Sequence, residues 1–130
     1  MKCYCVYAPP YTISSAGIIV MHRLAHELAE RGMDVFMNTD RQNPKYPFLP
    51  LAHQWCHRQR EEKIAIYPEI VHGDPFYAGT VVRYILNVPG RCCNGPTSFP
   101  SSDLLYAYSF VWIKESGLPI PMDNIYLFPR

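Results

Sequence analysis

The small residues Ser14, Ser15, Ala16 and Gly17 stand between an apolar run and an amphipathic segment, where chemistry with oxygen-rich ligands is natural. A helix beginning there leaves backbone N–H groups unpaired and presents the positive end of its dipole, which suits phosphate, carboxylate or sugar hydroxyls. Gly17 lowers helix stability but allows a ligand or a neighbouring backbone to come close. The plainer alternative is a turn that only caps its helix. His22, little more than one turn further on, either packs at the boundary of the core or faces a crevice beside the helix start. Glu69 follows an apolar run directly, beside Pro68; its carboxylate either accepts hydrogen bonds from ligand hydroxyls or is a solvated loop charge. Arg83 is the cation of an otherwise apolar stretch. Its guanidinium either reaches a carboxylate or phosphate or lies on a solvated face.

Other chemistries are disfavoured by spacing. Residues 14–17 carry neither G-x-G-x-x-G nor G-K-[ST], so neither a nicotinamide enzyme nor a P-loop ATPase is supported. Cysteines at positions 3, 5, 56, 92 and 93 are odd in number and form no C-x-x-C, so no zinc site or disulfide framework is expected. Cys3 and Cys5, two apart in a strand, share a face and read as small core residues. Cys92-Cys93 cannot easily bridge each other and have no neighbouring base in sequence, which argues against a nucleophile. No catalytic residue, metal or cofactor is assigned. A net charge of +1, with no block of like charge, gives no basis for nucleic acid or an anionic membrane as partner. No stretch approaches the roughly 20 apolar residues that span a bilayer. Met1-Lys2-Cys3-Tyr4-Cys5 lacks the apolar core of a signal peptide, so a cytoplasmic protein without a transmembrane segment is expected.

These residues are positioned by elements that proline delimits. The 13 prolines gather at 9–10, 44–50, 68–75, 89–100 and 119–129, and mark loops because proline fixes φ and removes a backbone donor. Residues 2–7, 33–38, 63–67, 104–108 and 125–128 read as strands. Residues 15–31 form a helix with the apolar stripe Ile18, Met21, Leu24, Ala25, Leu28 and Ala29. Arg23, Glu27 and Arg31 repeat on its solvent face, His26 pairs with Glu30, Ser14 or Ser15 caps its start and Gly32 stops it. Residues 80–88 read as a second helix stopped by Pro89-Gly90, with short helices over 52–61 and 110–115. Asp74 caps a further turn with Pro75 at its first position. A tight return after the first helix favours a right-handed βαβ unit. Residues 1–130 are therefore expected to form one α/β domain, a Rossmann-like doubly wound parallel sheet of about five strands with helices on both faces. Ligands would bind outside the carboxyl ends of the strands.

Two blocks then carry a family resemblance. The first is Tyr7-Ala8-Pro9-Pro10, followed by Ser15-Ala16-Gly17 running into Met21-His22-Arg23-Leu24-Ala25-His26-Glu27-Leu28-Ala29-Glu30-Arg31-Gly32-Met33-Asp34-Val35. It resembles the start of retaining, sugar-nucleotide-dependent GT-B glycosyltransferases, with Ala16-Gly17 for their Gly-Gly and Met33 for the His of R-G-H-x-V. The second, Ile66-Tyr67-Pro68-Glu69 through Gly73-Asp74-Pro75 and Thr80-Val81-Val82-Arg83-Tyr84-Ile85-Leu86-Asn87-Val88-Pro89-Gly90, is similar to the Y-P-E…G-N-P and V-V-R-W-x-L-N-x-P-G runs of some bacterial members.

The resemblance implies an N-terminal, acceptor-side domain whose donor-binding partner domain is absent, so that the chain is a truncated or independently encoded half. Such a half would engage a sugar nucleotide or glycosyl acceptor only together with a C-terminal domain, because transfer needs both substrates held across the interdomain cleft. Alone it would transfer nothing. Ser14 to Gly17 would lie near the donor diphosphate or the acceptor, Glu69 and His22 would contact acceptor hydroxyls, and Arg83 would complete the crevice. Leaving-group charge in this family is met by basic side chains and helix ends rather than by a D-x-D metal site. Apolar surface left uncovered favours self-association, so a homo-oligomer, a dimer, is expected. The alternative is a non-catalytic, oligomeric binding or assembly module on the same fold. A stand-alone flavodoxin-like or nucleotide-binding protein is disfavoured, because Pro9-Pro10-Tyr11 supplies too little glycine and hydroxyl for a phosphate loop.

Overall fold

The computed structural model describes residues 2–109, 114 and 117–124, apart from the side chains of Cys56, His57 and Met122. Five strands, β1 (Cys3–Val6), β2 (Val35–Met37), β3 (Lys63–Pro68), β4 (Thr80–Ile85) and β5 (Leu104–Ala107), form one sheet in the order β2-β1-β3-β4-β5. Every pairing is parallel: Cys5 lies opposite Phe36 and Ala65, Ile66 opposite Val82, and Tyr84 opposite Tyr106. The helix α1 spans Ala16–Glu30 and connects β1 to β2. The fold is thus α/β and Rossmann-like, with β3 central and the strand order reversing between β1 and β3, the arrangement of the flavodoxin-like doubly wound order.

One element differs in kind from the sequence expectation. Residues 80–88, read as a helix, contain β4 instead. Thr-Val-Val-Arg-Tyr-Ile is a run of β-branched and aromatic residues, and it is hydrogen-bonded to β3 on one side and β5 on the other. A strand buried on both faces is apolar throughout rather than alternating, so its side-chain pattern imitates a helix stripe. The expected helix over 52–61 is a pair of 3-10 turns, Ala52–His57 and Arg60–Glu62. The expected strand over 125–128 lies outside the described residues, as does the helix over 110–115 apart from Lys114.

Strand alternation sends side chains to two faces. On one, Val6, Met37 and Ile66 pack with Met21 and Ala25 of α1, where a fully buried Met21 contributes about 1.5–3 kcal/mol. On the other, Cys3, Cys5, Ala65 and Tyr67 pack with Trp55, Val71 and Ala78. This face, expected to carry helices, is covered among the described residues by 3-10 turns and loops. Both cysteines are fully buried, as their strand spacing implied, and burial raises each thiol's pKa. No helix among the described residues is long and apolar enough to cross a membrane.

α1 leaves part of its own face open. A groove of about 380 Å³ runs beside the C-terminal half of α1, lined mainly by Tyr4, Leu28, Ile64, Val82, Tyr84 and Tyr106. Leu104 and Tyr106 of the outer strand are exposed there, at 48% and 36%.

Candidate functional site

The helix start forms as its residues dictate. Ser15 is extended (φ −127°) and its Oγ accepts the Ile18 N–H at 3.4 Å, while Ile19 N–H returns to the Ser15 carbonyl at 3.1 Å. This leaves the Ala16 and Gly17 N–H groups without an intrahelical acceptor. Ser14 does not cap; its Oγ lies 2.9 Å from the Thr12 hydroxyl on the exposed rim. A Cβ at Gly17 would stand at an ordinary 3.6 Å from Leu86 Cδ1, so the neighbouring chain does not by itself demand glycine.

Leu86 joins this start to Glu69. Just beyond β4, its N–H donates to Glu69 Oε1 at 3.0 Å. Glu69 is 4% exposed, so it is neither a solvated loop charge nor openly presented to a ligand. Burial raises its pKa, and backbone N–H groups of Leu86, Glu69 itself and Asn87 partly offset the rise. The structure therefore gathers Ser15, Gly17 and Glu69 around the carboxyl ends of β1, β3 and β4.

His22 belongs to a different arrangement. It is fully buried, and its Nε2 donates to the Pro9 carbonyl at 2.8 Å. A carbonyl only accepts, so Nδ1 carries the lone pair, and that atom is buried without a partner. The Tyr11 ring stands edge-on at 5.3 Å. One turn along, His26 is also buried, its Nε2 unpartnered and its ring stacked on Tyr46 at 4.8 Å. His26 thus faces the protein, and the expected solvent pairing with Glu30 is replaced by this stack; the expected repeat on the solvent face does form, with Glu27 3.9 Å from Arg23 and 4.0 Å from Arg31. Tyr11 N–H donates to the Arg41 carbonyl at 2.8 Å, tying the loop after β1 to the loop after β2. Burial lowers the pKa of both histidines; a smaller opposite effect of the Pro9 carbonyl acts on His22, and repulsion from His22 adds to the fall at His26. His22 is therefore a buried anchor for the loop above it rather than a group on a crevice wall.

Arg83 is likewise internal, and it lies on a strand rather than a helix. At 1% exposure, its Nε donates to Asp103 Oδ2 at 2.9 Å, Nη1 donates to the Val71 carbonyl at 2.9 Å, and Nη2 donates to the Gly73 carbonyl. Tyr67 and Phe99 flank the guanidinium at 4.9 Å and 5.3 Å. Nearby, Tyr67 Oη donates to Asp74 Oδ1 at 2.6 Å and accepts the Phe76 N–H at 2.8 Å, while Asp74 Oδ2 accepts the Ala78 N–H at 2.9 Å. Asp74 caps a turn, as its position beside Pro75 implied, but that turn does not extend into a helix. The carboxylate foreseen for Arg83 is the chain's own Asp103.

Sequence reasoning missed three contributors. Asn38 clasps the end of β1, its Oδ1 accepting Ala8 N–H at 2.8 Å and its Nδ2 donating to Ala8 O at 3.0 Å. A polar residue closing an apolar strand was its only signal. Leu86 gave none, because a main-chain donor leaves no trace in residue type. The turn at residues 92–95 lies against Glu69 and Ile70, with a Cβ at Gly95 reaching to 2.9 Å from Ile70 Cα. Among the described residues no group of three or more His, Cys, Asp or Glu side chains is placed to hold a metal ion. Comparison with protein-family models, curated proteins and solved structures finds no match to this chain.

Proposed function

We propose that this chain is the acceptor-side, Rossmann-like half of a GT-B glycosyltransferase, which binds glycosyl groups at the carboxyl ends of β1, β3 and β4 and transfers them only with a donor-binding domain. The observation that carries this reading is the placement of the helix-start N–H groups of Ala16 and Gly17, which have no intrahelical acceptor, beside Leu86, whose N–H holds Glu69. Backbone donors at a helix start and hydroxyls at its rim, here Thr12 and Ser14, suit a neutral polyol better than a cation or an apolar ligand. No catalytic side chain is assigned within this half, and no metal is invoked. Its role is to hold the acceptor in place, which is where much of the rate enhancement of a two-substrate transfer originates.

Amide chemical-shift titration with a panel of mono- and disaccharides, and in parallel with UDP- and GDP-sugars, tests the proposal. Weak saccharide binding with shifts at residues 14–18, 69–73 and 86–95, and no tight nucleotide binding, is expected. Absence of shifts with every saccharide, or tight binding of a nucleotide, overturns it. A second reading, a non-catalytic oligomeric module, is favoured by the internal engagement of Arg83 and His22 and by the exposed Leu104 and Tyr106. Both readings expect self-association, so the titration separates them: no shift with any saccharide, together with a dimer lost on changing Leu104 and Tyr106 to polar residues, supports the module, and a clean monomer removes it.

A further inference from the structure

We propose that Cys92 and Cys93 form a two-thiol receptor for a thiophilic centre of the trivalent arsenic type, which they capture through two sulfur bonds. The pair sits on a built turn. Gly95 N–H donates to the Cys92 carbonyl at 3.1 Å, and the two central residues, Cys93 (φ 58°) and Asn94 (φ 53°), are both left-handed, the arrangement of a type I′ turn. Asparagine tolerates that region; a cysteine there is strained and persists only where its surroundings enforce it. They do so here. Gly95 is pressed against Ile70, and His72 Nε2 donates to the Asn94 carbonyl at 2.7 Å. Both cysteines are exposed, unlike Cys3 and Cys5, and they are consecutive on the turn. Consecutive residues hold their Cα atoms about 3.8 Å apart, within reach of two sulfur bonds from one pyramidal centre.

A redox role fits less well. Disulfide exchange needs a thiolate, and the neighbouring Cys93 side chain raises the pKa of Cys92. A direct bond between adjacent cysteines would also close a small strained ring on a turn that Ile70 and His72 hold in place. Capture of an arsenical needs no oxidant. With an aryl arsenoxide, two As–S bonds form, the As=O bond breaks, and the two thiol protons leave with its oxygen as one water.

Phenylarsine oxide added to the full chain is the test. One adduct per chain, lighter by one water than the sum of its parts and mapped by tandem mass spectrometry to the peptide holding Cys92 and Cys93, is expected, with release by excess small dithiol. Cys92→Ser and Cys93→Ser should each weaken capture by about a hundredfold or more, since the second bond is intramolecular once the first has formed. Thermal melting of these surface variants confirms that they remain folded. An adduct mapped to Cys3, Cys5 or Cys56, or capture retained in either single variant, overturns the proposal. So does conversion of the pair to a disulfide by oxidised glutathione ahead of arsenical capture.

Discussion

Two buried polar clusters, each built around a residue that the sequence marks as a possible ligand contact, have opposite characters. Around Arg83, on the face away from α1, every guanidinium nitrogen has an acceptor, and the adjoining Tyr67–Asp74 pair is satisfied in the same way. Around His22 and His26, between the loops after β1 and β2, two imidazole nitrogens are buried without partners. A saturated cluster fixes one arrangement of the chain and has nothing left to offer a ligand. An unsaturated one is tolerated only while its rings stay neutral, so it makes the loops above it sensitive to protons.

The largest effect that can test this contrast is removal of one partner of the Arg83–Asp103 pair. Arg83→Met should lower unfolding free energy by about 3–5 kcal/mol in urea titration, because Asp103 is then a buried, uncompensated charge. The double variant Arg83→Met/Asp103→Leu should recover most of that loss; a double variant as weak as the single one would show that the bonds to Val71 and Gly73 carry the stability. Next in size, Tyr67→Phe should cost about 1–3 kcal/mol by leaving Phe76 N–H and an Asp74 oxygen unpaired.

The histidine cluster predicts a pH dependence. Both folded-state pKa values lie below the ordinary value near 6.5, so the neutral rings contribute stability that is present above that pH and lost as pH falls through the lowered values. His26→Phe, which keeps a ring against Tyr46, should flatten the acid side of a melting-temperature profile; an unchanged profile would make the two clusters alike. Glu69 acts in the opposite sense. With its pKa raised, it contributes stability below its ordinary value near 4.5 that is lost as pH rises through the folded one, and Glu69→Gln should remove that slope while still accepting from Leu86. Smallest is Ser15→Ala, about 0.5 kcal/mol at the low end for caps because its bond is long at 3.4 Å.

The same contrast marks what was legible in the sequence. α1 was readable to within a residue at each end because its signals are local: Ser15 before it, an amphipathic period, and Gly32 at φ +84° after it. β1, β2, β3 and β5 were readable as short apolar runs bounded by turn residues. β4 was not, since its state is set by strands on both sides rather than by its own period. At the site, the helix start was legible and the fate of the charges was not. Whether Arg83 meets solvent, a ligand or Asp103 depends on a residue 20 positions away, and no spacing rule reaches that far. His26 was misjudged, and His22 was left between packing and a crevice wall, for a related reason: the loops that bury them carry no periodic signal.

The parallel register has a consequence for biosynthesis. β1 is made well before β3, yet the edge it presents to β3 waits for Lys63 to Ile66, opposite Cys3 to Val6. Until that later segment leaves the ribosome, Cys3, Cys5 and one row of backbone donors stay uncovered, and α1 and β2 can shield only the other side. A nascent chain of this topology is therefore most exposed to chaperones and to oxidation of its two core thiols between the synthesis of β2 and that of β3, a window that slower decoding of residues 38–63 would lengthen.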